Sequence, residues 1–136
     1  MLNKNHYSKM NPYLIPGLIN DNIISQVESA GFNVVLLTPN NVVEICTSIM
    51  NKLNSESVTP QQVKGKSRKK EVIEIRHFAA YHMKEDLNMI WRKIGLHFGG
   101  RDHSTAINSH RQWGDWIMYD KKAQEAERQF KRVFKL

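Results

Sequence analysis

Cysteine is nearly missing from this chain, and long apolar runs are missing altogether. Cys46 is the only cysteine in 136 residues, so no intramolecular disulfide can form and the composition fits a reducing cytosol. It lies within an apolar helical pattern, which reads as packing rather than as a nucleophile. No purely apolar run exceeds four residues. Val34-Val35-Leu36-Leu37 is an example, far too short to span a bilayer. No charged segment leads into an apolar one at the amino terminus, so no secretory signal is visible. A cytoplasmic protein without membrane association is expected.

Residue sets that announce enzymes are also missing. Gly65-Lys66-Ser67 resembles the tail of a phosphate-binding loop, but that motif needs a glycine where Pro60 stands, and a strand before it. No nucleotide site is expected. Asp102-His103-Ser104 has the residue types of a hydrolase triad, yet neighbours at one helix start cannot form the relay geometry. His77, His82, His97, His103 and His110 lack a metal-ligand spacing beside carboxylates or cysteines. The expectation is a protein that is not an enzyme, without metal or cofactor.

Acidic residues are outnumbered. There are 13 Asp and Glu against 20 Lys and Arg, a net charge of +7. Lys4, Lys9, Asp21 and Glu28 cancel, so the whole excess falls on residues 38–136. It peaks at Lys64, Lys66, Arg68, Lys69 and Lys70. Such a cluster points to a polyanion bound through counterion release. It is equally the signature of a solvated basic loop.

The chain divides into an irregular extension, residues 1–37, and one domain, residues 38–136, of a size that supports a modest core. Pro12 and Pro16 exclude regular helix around Tyr13. Asn20 or Asp21 is a cap for a short helix ending near Gly31, and Phe32–Leu37 reads as extended. From Thr38 onward the pattern is helical. Thr38 is an N-cap with Pro39 behind it, followed by a stripe of Val42, Val43, Cys46, Ile49, Met50 and Leu53. Thr59-Pro60 repeats the signal. A long helix begins near Lys70, with Val72 or Ile73, Ile75, Phe78, Ala79, His82 and Met83 inward. A short helix spans about Asn88 to His97, with Ile90, Trp91, Ile94, Leu96 and Phe98 available for burial. The next starts at Asp102 and presents Ala106, Ile107, His110, Trp113 and Ile117 inward. Asp120 caps a last helix with Ala123, Ala126, Phe130 and Val133 on one side.

Gly99-Gly100-Arg101-Asp102-His103-Ser104-Thr105 is the most informative stretch. A glycine turn ends one helix, and Asp102 caps the next. Helix N-termini favour anions such as phosphate, and short polar side chains there reach base edges. With the surrounding order of elements, including Arg76-His77-Phe78-Ala79 and Ile94-Gly95-x-x-Phe98-Gly99-Gly100, residues 38–136 resemble the C-terminal DNA-binding domain of DnaA, the bacterial replication initiator. The resemblance implies an all-α helical bundle with an embedded helix-turn-helix. It implies double-stranded DNA as partner, at an origin or in its regulation.

The resemblance also distributes roles. Arg68 takes the position that enters the minor groove, with Lys69 or Lys70 as competitors if the loop register slips. Asp102, His103 and Ser104 take positions that read base edges in the major groove. Lys66, Lys69, Lys70, Arg76, His77, Lys84 and Thr105 fall at phosphate-contact positions. Arg101 either joins them or braces the turn. Where the family often has Leu-Pro, this chain has Trp91-Arg92. Arginine loses the apolar contact of that proline but reaches phosphate or a guanine edge. The preferred site is therefore expected to differ from the usual TTATNCACA box. Residues 1–37 have no counterpart in the family, nor does the family's ATPase module appear. An alternative is an adaptor whose residues 1–37 dock a replication or packaging partner, or a helix-turn-helix transcription regulator.

Overall fold

The structure is a computed structural model that describes residues 13–14 and 35–134. The expected short helix between Asn20 and Gly31 lies outside them. Tyr13–Leu14 (β1) pairs in parallel with Val35–Leu36 (β2), placing Tyr13 opposite Val35. Six helices follow among the described residues: α1 (Pro39–Asn54), α2 (Pro60–Lys64), α3 (Lys70–Glu85), α4 (Trp91–Leu96), α5 (His103–Tyr119) and α6 (Lys121–Phe134). The all-α bundle expected from the sequence is the observed class.

Local chemistry sets the boundaries. Thr38 is extended, and its hydroxyl accepts the Asn41 N–H at 3.2 Å while Pro39 needs no donor partner. Ser55 closes α1 in a left-handed conformation, φ 54°. The Asn51 amide then clamps the turn, donating to the Val58 carbonyl at 2.8 Å and accepting the Val58 N–H at 3.0 Å. Thr59 and Gln62 form a capping box at the start of α2. Asp120 accepts the Ala123 N–H at 2.9 Å and opens α6.

The core lies where α1, α3, α5 and α6 meet. Phe78 stacks on Trp113 with centroids 4.4 Å apart, and Phe130 tilts against it at 5.6 Å. All three rings are buried. Rings of this size supply much of the apolar area a small domain removes from water. Leu37, assigned by sequence to the extension, is buried in this core.

Two helix faces differ from expectation. On α5 the buried residues are Ala106, Ser109 and Trp113; Ile107, His110 and Ile117 are only half-buried. The helix turns its small residues and Trp113 inward, which leaves the larger aliphatic side chains at the edge of the core. α4 is also shorter than expected. Asn88 adopts φ 50° and the helix starts only at Trp91. Six residues offer one narrow inner face, filled by Ile94 and by Phe98 just beyond. Ile90 is the N-cap, and Leu96 lies two residues past Ile94, on the opposite side. They stay 57% and 61% exposed.

Candidate nucleic-acid interface

The start of α5 is built around Asp102. Its Oδ1 accepts the Thr105 N–H at 3.0 Å and the Thr105 hydroxyl at 3.2 Å. These bonds hold its carboxyl below the ordinary range, so it remains an anion that caps the helix. The Thr105 hydroxyl is thereby turned toward the cap. His103 and Ser104 are exposed on the first turn, with no side-chain commitment in the network around the cap.

Three glycines make the preceding turn possible. Gly99 and Gly100 have φ of 77° and 73°, a region costly for residues with a Cβ. Gly95 matters for space instead. A Cβ there would stand 2.2 Å from the Arg101 carbonyl oxygen and 2.8 Å from that of Asp102. Its own carbonyl accepts the Arg101 N–H at 2.9 Å. The backbone of α4 thus touches the turn that launches α5.

The basic loop between α2 and α3 lies beside this turn. A Cβ on Gly99 would be 3.1 Å from the Gly65 carbonyl oxygen and 3.4 Å from Cγ of Lys66. Lys66, Arg68, Lys69 and Lys70 are exposed. Two segments far apart in sequence, the basic loop and the amino end of α5, are therefore neighbours.

Arg76 has a different place from the phosphate contact expected of it. It is buried, 5% exposed, and its guanidinium donates to the carbonyls of Gln62, Val63, Gly65 and Ser67. Burial and the charge of Arg101 lower its pKa to about 10, which leaves it charged at neutral pH. It lies four residues after Val72 and three before Ala79, on the inner side of α3. The phosphate contact is implied only by its position in the family pattern.

His77 likewise departs from a charged contact. The ring is half-buried 5.3 Å from Trp116, and its Nδ1 is buried without a partner among the described residues. Burial, helped by the Arg76 charge, pushes its pKa down to about 4. It is neutral at pH 7 and brings no cation to a phosphate. Arg101 is half-buried, and its Nε is the other buried atom lacking a partner. Both residues line a cavity of about 170 Å³ shared with Ile73, Phe98 and Ala106.

Around α4 a ring cluster fixes the other side of the motif. Lys84 Nζ sits 4.7 Å from the Trp91 ring centroid and donates to the Met89 carbonyl at 3.4 Å. The Trp91 edge meets His110 at 5.2 Å, and His110 stacks on Tyr81 at 4.8 Å while its Nε2 pairs with Glu85 at 2.9 Å. Arg92, next to the anchored Trp91, is exposed. No local signal marks this cluster in the sequence, because its members come from α3, α4 and α5.

A short helix, a glycine turn and a long capped helix, set against α3, make a helix-turn-helix. Residues 46–112 match a family model described as the bacterial DnaA protein helix-turn-helix. This segment is similar to the DnaA-type helix-turn-helix. The chain is 49% identical over 53 residues to the chromosomal replication initiator protein DnaA of Chlorobaculum tepidum, covering 39% of this chain and 11% of that protein. Against DnaA of Mycoplasma capricolum it is 41% identical over 64 residues, 47% of this chain and 14% of the relative. Against that of Corynebacterium jeikeium it is 30% identical over 88 residues, 65% and 14%. The chain thus matches a small part of each relative's length. In the DnaA-type motif α4 is the first helix and α5 the second. No helix among the described residues is long and apolar enough to cross a membrane.

Proposed function

We propose that this chain binds double-stranded DNA sequence-specifically, at a site like the DnaA box, in replication-origin binding or its regulation. The observation that carries this reading is the pairing of the DnaA-type turn with the basic loop through Gly99 and Gly65. In this reading His103, Ser104 and Asp102 face base edges in the major groove, and Arg68 enters the adjacent minor groove. Arginine is suited to narrow, A·T-rich minor grooves with strong negative potential. Lys66, Lys69, Lys70, Thr105 and Arg101 contact flanking phosphates. They orient the domain without reading sequence. Lys84 reaches phosphate beside Trp91, and Arg92 reaches phosphate or a guanine edge. The reading carries no nucleotide requirement and no catalytic step, and it places the protein in the cytoplasm with DNA.

The test is fluorescence anisotropy with a duplex carrying TTATCCACA and a scrambled duplex of equal composition, at two salt concentrations. Tighter binding to the box supports the reading. Equal, salt-sensitive binding means that Arg92 has moved the specificity, and random-site selection then finds the new site. No binding to either duplex refutes it.

A further inference from the structure

Arg76 ties the end of α2 to the basic loop, which has no regular structure of its own. Nε donates to the Val63 carbonyl at 2.8 Å, Nη1 to Ser67 at 2.5 Å, and Nη2 to Gln62 at 3.2 Å and Gly65 at 2.9 Å. Four of the five N–H donors of a guanidinium are thus committed to the end of α2 and the basic loop. No ion pair among the described residues involves Arg76. The carbonyl dipoles are its counter-charge, through charge-assisted bonds stronger than neutral ones.

One of those carbonyls has a second neighbour. The Gly65 oxygen that accepts from Arg76 also lies against Gly99. The loop bearing Lys66, Arg68 and Lys69 is therefore pinned to α3 on one side and to the turn before α5 on the other. Without the tie, each loop residue would be ordered only on binding, at the cost of its conformational entropy.

We propose that Arg76 is a positioning residue for DNA recognition: it sets the spacing between the basic loop and the amino end of α5, so that both meet one duplex together. This rests on the reading that Arg68 and the first turn of α5 contact DNA. The geometry separates positioning from direct phosphate contact. Lysine keeps the charge and serves as a phosphate partner, but its single ammonium cannot span four carbonyls.

The full chain is compared with Arg76→Lys, Arg68→Ala and the double variant, on the box and scrambled duplexes at two salt concentrations. Arg76→Lys is expected to weaken the box complex about tenfold and the scrambled one less than about twofold, with the salt slope kept. The losses from Arg68→Ala and Arg76→Lys are expected to be less than multiplicative, because part of the second acts through the first. In the unaltered protein, the Arg76 Nε proton is expected to exchange slowly before DNA is added. That comparison decides the matter even if Arg76→Lys fails to fold, as judged by circular dichroism. Wild-type affinity for Arg76→Lys, multiplicative losses, or protection that arises only with DNA would each overturn the proposal. Undiminished discrimination by Arg68→Ala would instead sink the assignment of Arg68 to the duplex, visible without any Arg76 variant, and the positioning role with it.

Discussion

His82 on α3 and Glu127 on α6 meet at 2.5 Å in the interior, Nε2 against Oε2. The other ring nitrogen, Nδ1, lies 2.7 Å from Asp86, and the indole N–H of Trp113 donates to the same Glu127 oxygen at 2.9 Å. Phe130 stacks on the imidazole at 3.7 Å. Only a protonated imidazole donates at both nitrogens at once. This cluster fastens α6 to α3 and to α5, the second helix of the helix-turn-helix.

The first prediction concerns alkaline pH. Burial lowers the His82 pKa, but the hydrogen bonds to Asp86 and Glu127 and their charges together outweigh it and raise it above 6.5. A raised folded pKa stabilises fully below the unfolded value and is lost as pH rises through the folded one. Urea unfolding is expected to show stability falling from pH 6.5 upward, and His82→Gln is expected to be less stable with that slope flattened. An unchanged slope in the variant would show that His82 is not the titrating group.

His77 works in the opposite direction. Its folded pKa of about 4 lies below the ordinary 6.5, mainly through burial. The unfolded chain then binds the extra proton first, so stability is lost as pH falls from 6.5 toward 4. Allowing for partial solvent access, roughly 1–2 kcal/mol is at stake. His77→Asn is expected to remove that part of the acid sensitivity, read as melting temperature between pH 7 and pH 4.

Gly95→Ala sets two effects against each other. Alanine gains up to about 1 kcal/mol in helix propensity. Its Cβ would meet the Arg101 carbonyl oxygen at 2.2 Å, which forces the turn away from α4. Overpacking against backbone costs about 3 kcal/mol or more, so the clash wins. The variant is expected to melt well below the parent and to lose DNA affinity at temperatures where it remains folded.

On DNA, readers and positioners are expected to separate. Arg68→Ala and His103→Ala, both at exposed residues, are expected to cost about 1–3 kcal/mol each on the preferred duplex with little change in folding. Lys84→Ala is expected to weaken all sequences alike and to reduce the salt slope by about one. Equal losses on random DNA for all three would refute the division.

Much of this protein is local and therefore readable from sequence. Thr38-Pro39, Thr59-Pro60 and Asp102 start helices because a side-chain oxygen three residues before a free N–H is a short-range event. The glycine turn is equally local, since residues without a Cβ adopt the positive φ of Gly99 and Gly100 at little cost. These signals, with the apolar stripes, determined the helix order, the bundle class and the place of the turn. The tertiary structure alone decided which way charged and half-apolar side chains face. Arg76 turns inward to carbonyls of the end of α2 and of the basic loop, which its guanidinium bridges. Lys84 finds Trp91, and His82 finds Glu127, across 45 residues of chain. A long charged side chain carries no sequence mark of whether water, a carbonyl or a ring will be its partner. Only the packing of distant helices fixes that choice, by deciding which polar groups are cut off from solvent.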